Sequence, residues 1–118
     1  MPATFALVAQ LARKFPGVTE GAPFGRPALH VRKKFMAQIK EDGETLVIRC
    51  PIERRTELLA DDPDVFFTTD HYRDYPAVLV NLLAVRMETL QMLVEQAWRM
   101  LAAPKVIAKW EAEKGGKT

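Results

Sequence analysis

Residues 28–49 read ALHVRKKFMAQIKEDGETLVIR, and apolar side chains recur in this stretch at every second position. The positions that share a strand face by this spacing are Leu29 and Val31, then Phe35, Ala37 and Ile39, then Leu46 and Ile48. Side chains of a β-strand alternate between the two faces of its sheet, so the stretch predicts three consecutive strands. Asp42-Gly43 is a strong hairpin signal, and Arg32-Lys33-Lys34 is a tight turn or a bulged strand end. The three strands should form an antiparallel meander.

Apolar side chains at intervals of three and four residues predict helices on both sides of the meander. The predicted helices run from Thr4 to Phe15, from Pro51 to Asp61 and from about Met87 to Ala102. Thr4 can cap the first helix, and Pro16-Gly17 ends it. Pro104 ends or kinks the last helix, and residues 111–118 should fray.

The segments between these elements predict loops and short strands. Val18–Pro27 is rich in glycine and proline and should be an ordered loop without regular structure, with Phe24 inserted into the core. Val65–Thr68 and Ala77–Leu82 have the composition of strands, and the polar and aromatic loop Thr69–Tyr75 joins them.

The element order is therefore α-β-β-β-α-β-β-α. It predicts an α+β two-layer sandwich, with a mostly antiparallel five-stranded sheet and helices on one face. A length of 118 residues, of which 48% are hydrophobic, fits one domain over residues 1–118 with a real core.

Composition excludes several classes of function. The sequence has no apolar stretch that could span a bilayer and no secretory leader, and its single cysteine, Cys50, suits a reducing compartment. We therefore expect a cytoplasmic protein that does not bind membranes. One cysteine and two histidines are too few for a zinc cage, and no glycine loop has the pattern of a phosphate cradle, so we expect neither a metal nor a cofactor.

Charge is unevenly distributed along the chain. The net charge is only +2, but residues 1–49 hold eight basic and four acidic residues, whereas residues 50–74 hold three basic and seven acidic ones. The molecule should therefore be electrically two-sided, with a basic N-terminal part.

Several motifs resemble those of the MmcQ/YjbR family. They are Phe15-Pro16-Gly17-Val18-Thr19-Glu20, Pro23-Phe24-Gly25, Lys34-Phe35, the run from Thr69 to Val80, and Ala97-Trp98. The resemblance spans nearly the whole chain and implies an α+β fold similar to type III secretion chaperones. Family members are commonly labelled DNA-binding, with a double-wing motif, and no catalytic residues carry over. Where many members have tryptophan before the penultimate strand run, this chain has Tyr75-Pro76.

The basic turn is the first candidate site. Arg32, Lys33 and Lys34, with Lys40 and Arg49, could form a charged ribbon against the phosphates of DNA. The alternative is a solvated hairpin whose lysines keep sheet edges from pairing with other chains. No helix-turn-helix or RNA-recognition pattern is present to support the DNA hypothesis.

The loop Asp70-His71-Tyr72-Arg73-Asp74-Tyr75 is the second candidate site, for a ligand or a partner. Tyrosine and arginine are favoured anchors at recognition surfaces, and loops often carry binding groups. His71, Tyr72, Arg73 and Tyr75, with Phe24, are the predicted contacts. The structural alternative is that the tyrosines cap the sheet edge while Arg73 pairs with an acid.

Catalysis is the weaker hypothesis. Cys50 precedes the helix that begins near Pro51, where a thiol can be activated, and His30 or His71 could serve as its base. Cysteine is more often a small buried apolar residue. We therefore predict a non-enzymatic binding module, monomeric or weakly dimeric, whose partner is DNA, a protein or peptide bound on the sheet face, or a small molecule near Phe24, His71 and Tyr75.

Overall fold

The computed structural model describes residues 2–115. The helices in this range are α1 (Phe5–Ala12), α2 (Ile52–Asp61), α3 (Met87–Leu101) and α4 (Pro104–Gly115). The strands are β1 (Val18–Gly21), β2 (Ala28–Val31), β3 (Lys34–Ile39), β4 (Thr45–Arg49), β5 (Phe66–Phe67) and β6 (Ala77–Asn81), and short 3-10 turns lie at Pro23–Gly25 and Asp70–Tyr72. The predicted α+β class is confirmed. No helix within residues 2–115 is both long and apolar enough to cross a bilayer.

The described strands form one antiparallel sheet in the order β1-β2-β3-β4-β6-β5. The meander of β2, β3 and β4 is confirmed. β6 lies between β4 and β5, and its residues 77–80 are buried, which explains why it is apolar on both faces.

The sheet has six strands where five were predicted, because the loop predicted at Val18–Pro27 begins with β1. This strand pairs with β2 from Val18↔Val31 to Gly21↔Ala28. β1 is an edge strand, and all but its first residue are exposed. Such a strand has no alternating apolar pattern to reveal it in the sequence.

One face of the sheet packs against helices. Leu29, Ile48 and Val80 from the sheet share a core with Val8 of α1 and Trp98 of α3. Trp98 is fully buried, and its indole N–H donates to the carbonyl of Pro16 at 2.9 Å. We call this side of the sheet the helix face and the opposite side the outer face.

A β-bulge at Met36 separates Phe35 from the residues predicted to share its face. Leu29 pairs with Ala37 but His30 pairs with Phe35, so Met36 is an extra residue in β3. A one-residue shift of this kind moves a side chain to the opposite face of the sheet. The prediction that Phe35 shares a face with Ala37 and Ile39 is therefore wrong, because Phe35 lies on the outer face.

The predicted insertion of Phe24 into the core is also wrong, since this side chain is 93% exposed. Phe24 lies in the Pro23–Gly25 turn with a φ of 58°, a left-handed conformation that bulky residues rarely adopt. The Gln38 side-chain amide donates to the carbonyls of Pro23 and Arg26 at 3.1 and 3.2 Å. These bonds hold the turn beside the outer face, away from the core.

The chain after α3 is helical as far as Gly115, where fraying was predicted from residue 111. Trp110 packs against Phe15 and Trp98, with ring centroids 5.3 and 5.2 Å away. Arg99 of α3 forms an ion pair of 2.8 Å with Glu111. These contacts with α3 and with Phe15, which follows α1, stabilise α4. Residues 116–118 of the predicted tail lie outside the described residues.

Candidate functional site

The loop between β5 and β6 folds back over the outer face. Tyr72 and Tyr75 pack against a small apolar cluster made by Val47, Ala77 and Leu79. These three residues belong to β4 and β6, which are interior strands. The tyrosines therefore cover the middle of the sheet and do not cap its edge.

Arg55 of α2 holds this loop in place by hydrogen bonds to backbone carbonyls. Its side chain is buried, with 6% exposure. Nη1 donates to the carbonyls of Tyr72, Tyr75 and Ala77 at 2.9, 3.0 and 3.0 Å, and Nη2 donates to that of Arg73 at 2.6 Å. Carbonyl groups inside a protein need hydrogen-bond partners, and one guanidinium donates to three residues of the loop and to Ala77, the first residue of β6.

Four rings form a line on the outer face. Phe35 lies 6.1 Å from Tyr75, Tyr75 lies 6.4 Å from Tyr72, and His71 meets Tyr72 edge-on at 4.7 Å, all between ring centroids. We call these four residues the aromatic row. The bulge at Met36 brings Phe35 into it.

Two cations flank the aromatic row. The guanidinium of Arg49 lies 5.0 Å from the Tyr75 ring centroid, and its Nε donates to the Phe35 carbonyl at 3.3 Å. The ammonium of Lys40 lies 5.9 Å from the Tyr72 ring centroid. The structure thus joins two residues of the predicted basic ribbon to the tyrosine loop.

A cavity of about 320 Å³ opens along the row. Its lining residues are Phe35, Gln38, His71, Tyr72 and Tyr75. The cavity therefore includes His71 and Tyr75 as predicted. Phe24 does not line it, but the turn that carries Phe24 is bonded to Gln38.

The other three basic residues of the predicted ribbon lie at the end of the β2–β3 hairpin. Val31 pairs with Lys34, so Arg32 and Lys33 form a two-residue turn, with φ values of 54° and 65°. These left-handed values at both positions are those of a type I′ turn. Val31 belongs to the helix-face core, and its partner Lys34 lies on that side. The ribbon is thus split between the hairpin end and the outer face.

These five cations differ from most arginines of the molecule. In the described part of the chain, ion pairs are made by Arg13, Arg26, Arg54, Arg73, Arg86 and Arg99, and by none of Arg32, Lys33, Lys34, Lys40 and Arg49. Arg73 pairs with Asp70 at 2.7 Å, as its structural alternative predicted, and it does not line the cavity. Lys14, Lys105, Lys109 and Lys114 also form no ion pair in the described chain, so the five are distinguished by their place at the hairpin end and beside the aromatic row.

The family model YjbR matches residues 13–100, from the end of α1 almost to the end of α3. The chain belongs to the YjbR family. The matched region of this YjbR chain contains the hairpin turn, the aromatic row and Arg55, and it ends before α4.

The YjbR chain is also similar to uncharacterized proteins of Mycobacterium bovis and of two strains of Mycobacterium tuberculosis. Each is 41% identical over 58 residues, which is 49% of this chain. The match covers 45% of each relative, so the chain spans about half the length of these curated relatives.

Cys50 has the properties of a buried core residue. Its side chain is fully buried, and this burial raises the pKa of its thiol to about 11. A nucleophilic cysteine needs a lowered pKa, because the thiolate is the reactive form. The hypothesis of a reactive Cys50 in this YjbR protein is therefore wrong.

Other cavities lie elsewhere on the surface, and the one beside α4 is lined by Lys14 and Lys109, which form no ion pair in the described chain. Two larger cavities of about 460 Å³ lie between α2 and α3 and beside α4. The arginines of the first, Arg54 and Arg99, are already paired with carboxylates. Within residues 2–115, no three histidine, cysteine or acidic side chains are grouped to hold a metal ion.

Sequence reasoning missed Arg55 and Gln38, the two residues that position the site. Arg55 precedes the buried Leu58 by three residues, which places it on the inward side of α2. That spacing was a usable signal. Gln38 has no comparable signal, because its role depends on where the Pro23–Gly25 turn folds.

Proposed function

We propose that this chain binds nucleic acid, with the β2–β3 turn and the cations of the outer face contacting phosphates. Arg32, Lys33, Lys40 and Arg49 supply the positive charge. Lys34, on the helix-face side of the same hairpin end, adds to it.

The observation that carries the proposal is the residue pair in the turn. A type I′ turn favours Asn-Gly, because both central residues need a positive φ. Arg32 and Lys33 hold that conformation at 54° and 65°. Residues kept in an unfavourable backbone conformation often serve a function through their side chains. Here those side chains are two exposed cations.

The position of the hairpin argues against the simpler role of keeping sheet edges apart. β2 is flanked by β1 and β3, and β3 by β2 and β4, so neither strand of this hairpin is an edge strand. Lysines that block edge pairing belong on edge strands. The charges at this turn therefore do not serve to block a sheet edge, and the remaining alternative is a turn that they keep soluble.

The outer face favours nucleic acid over a protein or peptide partner. Its apolar residues are partly covered by the tyrosine loop, and the cations Lys40 and Arg49 lie over the half-buried rings of Tyr72 and Tyr75. A protein-docking face would be a broad apolar patch. The burial and raised pKa of the Cys50 thiol argue against a cysteine nucleophile, and the role that we propose is binding.

The test replaces the turn with the residues its backbone prefers. Arg32→Asn with Lys33→Gly keeps the type I′ turn and removes two charges. We expect weaker binding to a fluorescent oligonucleotide and a less steep salt dependence of affinity, by about 1 in the slope for each phosphate that is no longer neutralised.

A matched variant controls for net charge. Lys105→Gln with Lys109→Gln removes the same charge from exposed positions on α4 and should change the salt slope little. Equal effects of the two double variants would show that only overall charge matters. Absence of oligonucleotide binding at low salt would reject the proposed function.

A further inference from the structure

We infer that the aromatic row, together with Phe24, takes unpaired bases of a single-stranded nucleic acid. The inference rests on the proposed function and specifies its substrate. Exposed rings beside unpaired cations are the combination by which proteins bind single strands, since bases stack on the rings and the cations meet the phosphates.

The exposure of two of these rings, Phe24 and His71, is the first support, whereas Phe35, Tyr72 and Tyr75 are half-buried. Phe24 is 93% exposed, an unusual cost for a large apolar side chain. It is held in a left-handed conformation at φ 58°, and His71 is also exposed. Neither ring is needed by the core, so packing does not account for them.

The second support is the link that Gln38 makes between the cavity and the turn that carries Phe24. Gln38 lines the cavity with His71, and both of its side-chain N–H groups are used by the turn that carries Phe24. Within residues 2–115, no donor forms a hydrogen bond to its Oε1. In the inferred complex this oxygen accepts a hydrogen bond from the amino group of a base.

The cations supply the third support. Arg49 and Lys40 flank the row at 5.0 and 5.9 Å from the Tyr75 and Tyr72 ring centroids, without carboxylate partners in the described chain. In the inferred complex these two cations contact the phosphates beside a stacked base. In a duplex, the faces of the bases are already stacked on one another, so only an unpaired base can use this row.

The experiment compares three labelled probes of about 12 nucleotides, a length within the range that single-strand binding folds cover. They are a single strand, the corresponding duplex, and an abasic strand that keeps the phosphates and lacks the bases. The proteins are the full chain and its Phe24→Ala, His71→Ala and Leu83→Ala variants. Leu83 is 53% exposed and lies after β6, so its variant is the matched control.

We expect the single strand to bind more tightly than the abasic strand. Phe24→Ala and His71→Ala should each weaken binding of the single strand about fivefold or more, and leave the abasic strand unchanged, because one ring can no longer stack on a base. Leu83→Ala should change neither.

Failure of this inference is separable from failure of the proposed function. Equal affinity for the single and abasic strands, unchanged in the Phe24 and His71 variants, would overturn the role of the rings. If the Arg32→Asn/Lys33→Gly variant still lost affinity, phosphate binding would stand. If no probe bound at low salt, both would fall.

Discussion

The carbonyl oxygen of Tyr75 accepts a 3.0 Å hydrogen bond from the buried Nη1 of Arg55. Through this bond and its three companions, a cation of α2 sets the position of a loop on the other side of the sheet. Arg55 holds the backbones of Tyr72 and Tyr75, and the rings of both residues lie on the outer face. The candidate site thus depends on a residue that does not belong to it.

Replacement of Arg55 should be strongly destabilising. Arg55→Ala leaves the carbonyls of Arg73 and Ala77 without a donor, while those of Tyr72 and Tyr75 keep backbone donors. Each unsatisfied group costs about 1–3 kcal/mol, so we expect a loss of at least about 2 kcal/mol. Arg55→Lys keeps the charge but cannot span the same acceptors, and should recover only part. Urea denaturation measures both.

The neighbouring Arg54 is the control for these variants. Its guanidinium forms a surface pair of 3.3 Å with Glu57. Arg54→Ala should therefore change stability by no more than about 0.5 kcal/mol. An Arg55→Ala variant as stable as Arg54→Ala would contradict the anchoring role.

The turn variant Arg32→Asn/Lys33→Gly should be more stable than the natural chain. Positive φ at both turn positions disfavours arginine and lysine, and the replacement relieves this by about 1 kcal/mol or more. Stability would then rise while nucleic-acid affinity falls. Thermal unfolding measures the change in stability. A less stable variant would show that Arg32 and Lys33 stabilise the folded state.

Asp42 should stabilise the β3–β4 hairpin in its ionised form. Its Oδ1 accepts from the backbone N–H groups of Glu44 and Thr45 at 2.8 Å each, and these bonds lower the pKa of the carboxyl group from 3.8. The stabilisation is therefore complete above that value and is lost as pH falls through the lowered pKa.

Asp42→Ala should cost about 1 kcal/mol near neutral pH, and the cost should shrink in acid. Asp42→Asn keeps an acceptor oxygen and should cost less, with little dependence on pH. Urea unfolding of the three proteins at several pH values measures these differences. A cost for Asp42→Ala that did not change with pH would contradict the assignment.

Cys50 should make the protein less stable in alkali. Its thiol has a pKa raised from 9.0 to about 11 by burial, so between these values the unfolded chain loses a proton that the folded chain keeps. Stability falls over this range by about 2 kcal/mol. Cys50→Ala lacks this term, so its unfolding free energy should fall less between about pH 8 and pH 11. Parallel plots of unfolding free energy against pH for the two proteins would contradict the role of Cys50.

Much of the fold followed from local patterns. Alternation marked β2, β3 and β4, the three- and four-residue spacing marked α1 and α3, and the Thr4 cap was confirmed by its 3.2 Å bond from the N–H of Leu7. The edge strand β1 was missed because its side chains are mostly exposed. No alternating apolar pattern in residues 18–21 indicated a strand there.

The candidate site was predicted only in parts. The sequence placed Lys40 and Arg49 in one hypothesis and Tyr72 and Tyr75 in another, and the fold brings them together. The extra residue at Met36 places Phe35 on the same face. The alternating sequence pattern does not reveal such an insertion. Phe24 was assigned to the core because large apolar residues are usually buried, whereas the turn at Pro23–Gly25 holds this side chain in solvent.

Chemical-shift mapping tests the central claim most directly. A ¹⁵N-labelled sample of the chain is titrated at low salt with an unlabelled single-stranded oligonucleotide, and the backbone amide shifts are followed. We predict the largest changes at the β2–β3 turn, at Arg49 and in residues 70–75, with little change in α4. Largest changes on α4 or between α2 and α3, or no changes at all, would contradict it.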